Sequence, residues 1–275
     1  MARIKALSVQ SLSGFGKCSL TEALPVISAC GISLSVLPTV LLSTHTGGFS
    51  TPKRLDTTEF LKDAIEHYKA ENIKFGGIYT GYFAETSQIE YLTNQIDNIT
   101  EENRLVLVDP VLGDKGKFFS GITEEFLEKM LDLCKKADVI LPNITESYLL
   151  CNEEYKEKPT EGELLNLAVK LYNITKAKVI ITGVEKVNKI GALIFDGENG
   201  EFVYSKKVSA HFLGTGDILS SVVFSLLLRG KTLSRAVLMA EKIILKAINK
   251  TVSNNTQENE GIDFEGCLKY LMLKS

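Results

Sequence analysis

Short β-branched runs alternate along this chain with longer amphipathic segments, and that alternation constrains the fold more than any other property. Extended runs fall at residues 4–9, 32–37, 73–79, 105–108, 139–141, 179–182, 191–195 and 202–208. Helical spacing occupies 57–70, 86–99, 123–136 and 161–172. Strands that alternate with helices predict an α/β fold, a mostly parallel central sheet with helices on both faces. The last two runs are joined by Asp196-Gly197-Glu198-Asn199-Gly200, whose Asp-Gly and Asn-Gly steps signal a hairpin, so the sheet is expected to end in an antiparallel edge. With no internal repeat and no long linker in 275 residues, a single domain over 1–275 is expected.

Charge narrows the function classes. Lys and Arg number 31 against 34 Asp and Glu, a net charge of −3, with 44% hydrophobic residues. That balance excludes disorder and strongly basic nucleic-acid binding. Residues 23–52 contain no Asp, Glu, Lys or Arg, yet Pro25, Gly31, Pro38, Gly47 and Gly48 cut the stretch into pieces too short to span a membrane. It reads as a helix ending near Gly31, a buried strand at 32–37, and a neutral loop Ser43-Thr44-His45-Thr46-Gly47-Gly48 suited to lining a pocket. The N-terminus shows no secretory signal. Five cysteines without a C-x-x-C pair argue against a disulfide framework or zinc site, and the chain is expected to be cytoplasmic.

In open α/β sheets ligands bind beyond the carboxyl ends of the strands. Three strand-end clusters carry chemistry. The sharpest is Gly214-Thr215-Gly216-Asp217, followed by a helix that is apolar nearly all round. The amides that open such a helix, freed by glycines to approach an anion, can hold a phosphoryl group while Asp217 acts as general base. The competing reading makes Asp217 a helix cap and the glycines a turn. The second cluster is Asp109 and Asp114 in Asp109-Pro110-Val111-Leu112-Gly113-Asp114, with Asn143 and Glu146 one strand on. Carboxylates completed by phosphates and water are the usual magnesium ligands; the bland alternative is a turn and a helix start. The third, Gly14-Phe15-Gly16-Lys17-Cys18-Ser19, imitates a dinucleotide fingerprint but has Ser19 for the last glycine, and the next strand ends without an acidic residue. It is expected to wall a small-ligand site.

The segment Val9 to Ser19, the run Ser43-Thr44-His45-Thr46-Gly47-Gly48-Phe49, the Asp109 to Asp114 segment, the N-x-x-E of Asn143 to Glu146 and the Gly214 to Asp217 box together resemble the pyridoxal kinases of the ribokinase-like superfamily. The likeness runs in order from about residue 4 to 250. It implies ATP-dependent phosphorylation of the 5′-hydroxymethyl group of pyridoxal, pyridoxine or pyridoxamine, in vitamin B6 salvage. Carried over by position, Asp217 would be the catalytic base, with Gly214, Thr215 and Gly216 as the anion hole. Asp109, Asp114 and Glu146 would arrange Mg²⁺. Asn143, Thr182, Gly183, Phe212 and Leu213 would face the nucleotide, and Ser11, His45, Thr46 and Tyr82 would surround the pyridine ring. The segment from Asp114 to Phe119 would be a flap, with Phe119 where relatives often carry tyrosine. The resemblance also implies a homodimer, leaves a monovalent-cation requirement open, and suggests no nucleic-acid or membrane partner.

Three competitors stand beside it. Hydroxymethylpyrimidine kinases share the fold and reaction, but typically carry Cys where Asp217 stands. A non-catalytic ligand-binding relative would be expected to have lost Asp217 or the acidic cluster, and a nicotinamide-dependent oxidoreductase would need the missing fingerprint.

Overall fold

The structure is a computed structural model that describes residues 4–208 and 212–272. The chain begins with β1 (Lys5–Phe15), α1 (Leu20–Ala29), β2 (Ser33–Thr44), β3 (Arg54–Asp56), α2 (Thr58–Ala70), β4 (Phe75–Thr80) and α3 (Thr86–Gln95). It continues through β5 (Thr100–Val108), the two-residue strands β6 (Gly113–Asp114) and β7 (Lys117–Phe118), α4 (Glu124–Cys134), β8 (Val139–Ile140), α5 (Ile144–Leu150) and α6 (Glu161–Thr175). The last part is β9 (Lys178–Lys186), β10 (Lys189–Phe195), β11 (Gly200–Lys206), α7 (Thr215–Leu228) and α8 (Leu233–Asn254).

Nine strands form one sheet in the order β11-β10-β9-β8-β5-β4-β1-β2-β3. The middle of the sheet is parallel, from β2 through β9. The expected antiparallel edge is there: β10 pairs with β9 and β11, and Asp196 accepts the Glu198 and Asn199 amides in the hairpin turn. Period-2 alternation sorts the strand residues onto two faces. Leu7, Val106, Val108, Val179 and Ile181 pack with α2, α3, α4 and α6 on one side. Ala6, Leu107, Ile180, Ala192 and Ile194 pack with α1, α7 and α8 on the other. Gly77 in β4 permits the close approach of α7, since a β-carbon there would lie 2.8 Å from the Phe224 ring.

Several boundaries differ from the sequence expectation, and each difference has a cause. β1 runs to Phe15 rather than stopping at Val9 because Gln10, Ser11 and Ser13 are buried polar residues that break the apolar pattern. β2 runs through Pro38 to Thr44, so Ser43 and Thr44 are strand rather than loop. The proline is tolerated because it sits at a register shift against β1, before β3 begins to pair at Val40. β5 starts at Thr100, its first half hidden by Glu101, Glu102 and Asn103, which are exposed. The expected helix at 86–99 ends at Gln95 and finishes as a 3-10 turn, Ile96–Asn98. α8, which the strand–helix alternation does not require, lays Val237, Ala240, Ile243, Ile244 and Ala247 against the second core. No described helix is long and apolar enough to cross a membrane.

Candidate active site

The carboxyl ends of β5, β8 and β9 meet the N-terminus of α7 around a cavity of about 220 Å³. Asp109, Asn143, Glu146, Thr182, Gly216 and Asp217 all line it, as does Phe119 from the β6–β7 flap. Residues 108 positions apart are thus brought to one rim, as the strand-end argument anticipates.

α7 opens on Gly214, whose left-handed backbone (φ 89°) suits glycine. The helix-opening amides that follow have no intrahelical acceptor and carry the positive end of the helix dipole. Asp217, in the first turn, accepts a hydrogen bond at 2.9 Å from the Ser19 amide at the start of α1. Its carboxyl borders the cavity but lies deep in the protein, and burial pushes its pKa up to about 6 against the lowering effect of the Ser19 amide. One turn further, the Ser220 hydroxyl donates to Asp109 Oδ2 at 2.9 Å.

The opposite wall is the loop after β5 and the N-terminus of α5. Asn143 caps α5 by accepting the Glu146 amide, and Glu146 Oε2 accepts the Asn143 amide at 2.8 Å, a reciprocal capping box. Glu146 Oε1 accepts the Leu112 amide at 2.9 Å, and the Asn143 side chain donates to the Gly113 carbonyl at 2.8 Å. The loop 109–113 is therefore pinned to α5 at two points. Immediately before them Val111 holds φ 45°, a costly left-handed conformation for a β-branched residue.

Burial raises the pKa of Asp109, and the negative charges of Glu146 and Asp217 raise it further. Glu146 is raised by burial and held down by the amides it accepts. Three carboxylates around one small cavity repel one another, a donor set that favours a hard cation. Among the described residues no three His, Cys, Asp or Glu side chains converge closely enough to hold a metal by themselves. Asp114, expected beside Asp109 and Glu146, is exposed on the flap and accepts its neighbour's Lys115 amide. Asp109 and Glu146 fit an ion whose remaining ligands are phosphate oxygens and water. Glu146 spends both oxygens on backbone amides, so its contribution is charge and loop placement.

The remaining expected residues are distributed around this centre. Thr182 sits at the end of the β8–β9 pairing, bridged to Asn143, and Gly183 follows with φ 74°. Phe212 is buried in the second core, and Leu213 packs near Gly47. Ser11 is buried in β1 and Tyr82 is half-buried beyond β4. His45, Thr46, Ser11 and Tyr82 do not line the carboxylate cavity. Both His45 ring nitrogens bind backbone: Nδ1 accepts the Gly47 amide at 3.1 Å, and Nε2 lies 2.8 Å from the Asn259 carbonyl. Only the neutral tautomer with the proton on Nε2 serves both. The glycine-rich β1–α1 loop borders a separate cavity of about 290 Å³ with Lys17, Thr256 and Asp263. Sequence reasoning assigned no role to Val111, Leu141 or Ser220, and gave Ser19 only a place in the wall formed by the β1–α1 loop. Ser220 carried a usable signal, since it stands three residues after Asp217 on the same helix face.

This sheet, with acids and a helix N-terminus at its rim, is the ribokinase-like architecture of small-molecule kinases. The chain belongs to the phosphomethylpyrimidine kinase family, whose model matches residues 24–261. It is similar to a pyridoxal kinase from Lactobacillus plantarum, at 30% identity and a TM-score of 0.92, covering 98% of this chain and 97% of that one. It is equally close to a Bacteroides thetaiotaomicron protein named after phosphomethylpyrimidine kinase and crystallised with pyridoxal, at 33% identity and a TM-score of 0.93, covering 100% and 97% of the two chains. A hydroxymethylpyrimidine/phosphomethylpyrimidine kinase from Aquifex aeolicus is 28% identical over 197 residues, 70% of this chain and 72% of that protein. Kinases of both ring alcohols thus stand among its relatives.

Proposed function

We propose that this chain transfers the γ-phosphoryl group of ATP to the 5′-hydroxymethyl group of pyridoxal, pyridoxine or pyridoxamine. The observation that carries the reading is Asp217 on the first turn of α7, its oxygen held by Ser19 and its pKa raised to about 6. A base of that strength is ionised at neutral pH and still accepts a proton from an alcohol as the bond to phosphorus forms. Asp217 takes the hydroxymethyl proton, the alcohol oxygen bonds to the γ-phosphorus, and the bond to the departing ADP oxygen breaks. The amides of Gly214, Thr215 and Gly216 face the charge on the transferred group, which is where phosphoryl transfer needs stabilisation. Mg²⁺, beside Asp109 and Glu146, would neutralise phosphate charge. Ser11, Thr46 and Tyr82 are the proposed contacts to the ring, and His45 shapes the loop that carries Thr46. Thr182, Gly183, Phe212 and Leu213 are the proposed nucleotide side, and Asp114 belongs to the flap that closes over it.

A hydroxymethylpyrimidine substrate is the second reading, favoured by the family model that matches the chain. The acid at 217 and the pyridoxal-bearing relative support the pyridine alcohol. A coupled ADP-release assay on pyridoxal, pyridoxine, pyridoxamine and hydroxymethylpyrimidine decides between them. At least tenfold higher kcat/KM on a pyridine alcohol is expected, and a preference for the pyrimidine would replace the first reading with the second. On the same reading the enzyme works as a cytoplasmic homodimer, which light scattering of the purified chain tests.

A further inference from the structure

Glu22 is the one buried acid near the site that the catalytic reading leaves without a task. It stands in the first turn of α1 with no solvent exposure, and neither carboxyl oxygen has a hydrogen-bond partner among the described residues. Ser19-Leu20-Thr21-Glu22 has the S-x-x-E pattern of a capping box, with Ser19 at the N-cap and Glu22 three residues on. In that motif the glutamate accepts the N-cap amide. Reciprocal boxes form at α3, α5 and α6 in this molecule. At α1 no side-chain cap bond forms; Ser19 is twisted to φ 48°, ψ −125°, and its amide goes to Asp217 instead. The idle Glu22 carboxyl lies against Gly214, where a β-carbon would sit 2.1 Å from Oε1. It therefore occupies the gap between the N-termini of α1 and α7, in the same helix turn as the donor that it would ordinarily hold.

We infer that Glu22 is a positioning residue, the alternate acceptor for the Ser19 amide, which passes from Asp217 to Glu22 when Asp217 engages the substrate hydroxyl. Asp217 gives up a charge-assisted hydrogen bond as it takes a proton, because a neutral carboxyl accepts more weakly than a carboxylate. Without a second acceptor the Ser19 amide would then be left unpaired in the interior. Glu22 supplies that acceptor within its own helix turn, and the strained Ser19 backbone favours return to an ordinary N-cap conformation. Burial and the Asp217 charge hold the Glu22 carboxyl towards its neutral form, which keeps a carbonyl oxygen to accept the amide and leaves Asp217 as the anion facing the substrate.

The inference rests on Asp217 as the base, so wild type and Asp217→Asn are assayed alongside. Glu22→Gln retains a carbonyl oxygen at the same place; Glu22→Met matches the size without an acceptor. Glu22→Gln is expected within threefold of the wild-type kcat. Glu22→Met is expected to lose at least tenfold in kcat, with both KM values within twofold and a melting temperature at or above wild type, since it removes an unpaired buried acid. Wild-type kcat in Glu22→Met, an equal loss in Glu22→Gln, or a melting temperature that falls with the activity of Glu22→Met overturns the exchange. With an active wild type and an inactive Asp217→Asn, those outcomes strike the exchange alone. A wild type inactive on every ring alcohol removes both readings.

Discussion

The Ser220 hydroxyl donates to Asp109 Oδ2 at 2.9 Å, and this bond joins the helix that carries Asp217, the proposed base, to the strand end that carries Asp109, the proposed metal-side acid. Because Ser220 lies one turn after Asp217, any shift of Asp109 relative to Asp217 must stretch it. The two walls of the cavity are thereby held in register.

Ser220→Ala removes a donor to a buried carboxylate, an interaction worth about 1.5–3 kcal/mol. The expected result is a fall of roughly tenfold in kcat with a smaller change in melting temperature, because Asp109 moves towards the cavity rather than unfolding the sheet. Steady-state kinetics beside a thermal melt check it, and unchanged kcat would show that Asp109 needs no such tether.

As the proposed base, Asp217 must be ionised to act, and its pKa is raised to about 6. The kcat should therefore decline below about pH 6 and level off above it, without the same limb in Asp217→Asn, which should lose on the order of 10²-fold or more. Calorimetry should find ATP binding to Asp217→Asn within threefold of wild type. An acid limb near pH 4 in wild type would mean that the base is elsewhere or is held by other charges.

The same group makes stability depend on pH in an unusual direction. The folded-state pKa of Asp217, about 6, lies above its ordinary value of 3.8, so its stabilising contribution is complete below pH 4 and is lost as pH rises towards 6. Glu146 and Asp109 shift the same way. Lowering the pH from 7.5 to 5.5 should raise the melting temperature by a few degrees, and a monotonic fall over that range would contradict the burial of these charges.

Val111 pays for a left-handed backbone at φ 45°. Val111→Gly relieves it and should leave the melting temperature at or above wild type, while kcat falls several-fold because the Leu112 amide no longer holds Glu146 as firmly. A drop in melting temperature with unaltered kcat would make Val111 a packing residue.

Much of this architecture was legible before any coordinates. The β-branched runs located eight of the sheet strands, the Asp-Gly and Asn-Gly steps located the β10–β11 hairpin, and strand-end logic put Asp109, Asn143, Glu146 and Asp217 on one rim. What escaped had physical reasons. Buried Gln10, Ser11 and Ser13 masked half of β1, and the short strand β3 has no period to read. The resemblance to the pyridoxal kinases put His45 beside the ring because it falls inside the matched run, and a lone loop histidine carries no further local signal. The tertiary structure shows what local sequence could not, that its Nε2 ties the loop to Asn259, a partner 214 residues away.

The amino-acid pattern alone therefore determined the layered α/β class and singled out the polar side chains that gather at the candidate site, because periodicity and strand-end composition are local properties. Only the tertiary structure decided which donor each acid receives. Ser19 serves Asp217 across 198 residues, Ser220 serves Asp109 across 111, and Glu22 is left idle three residues from an amide that it would match. Local sequence offers those amides and hydroxyls several acceptors of similar strength, and the packing of α1 and α7 against the sheet selects among them.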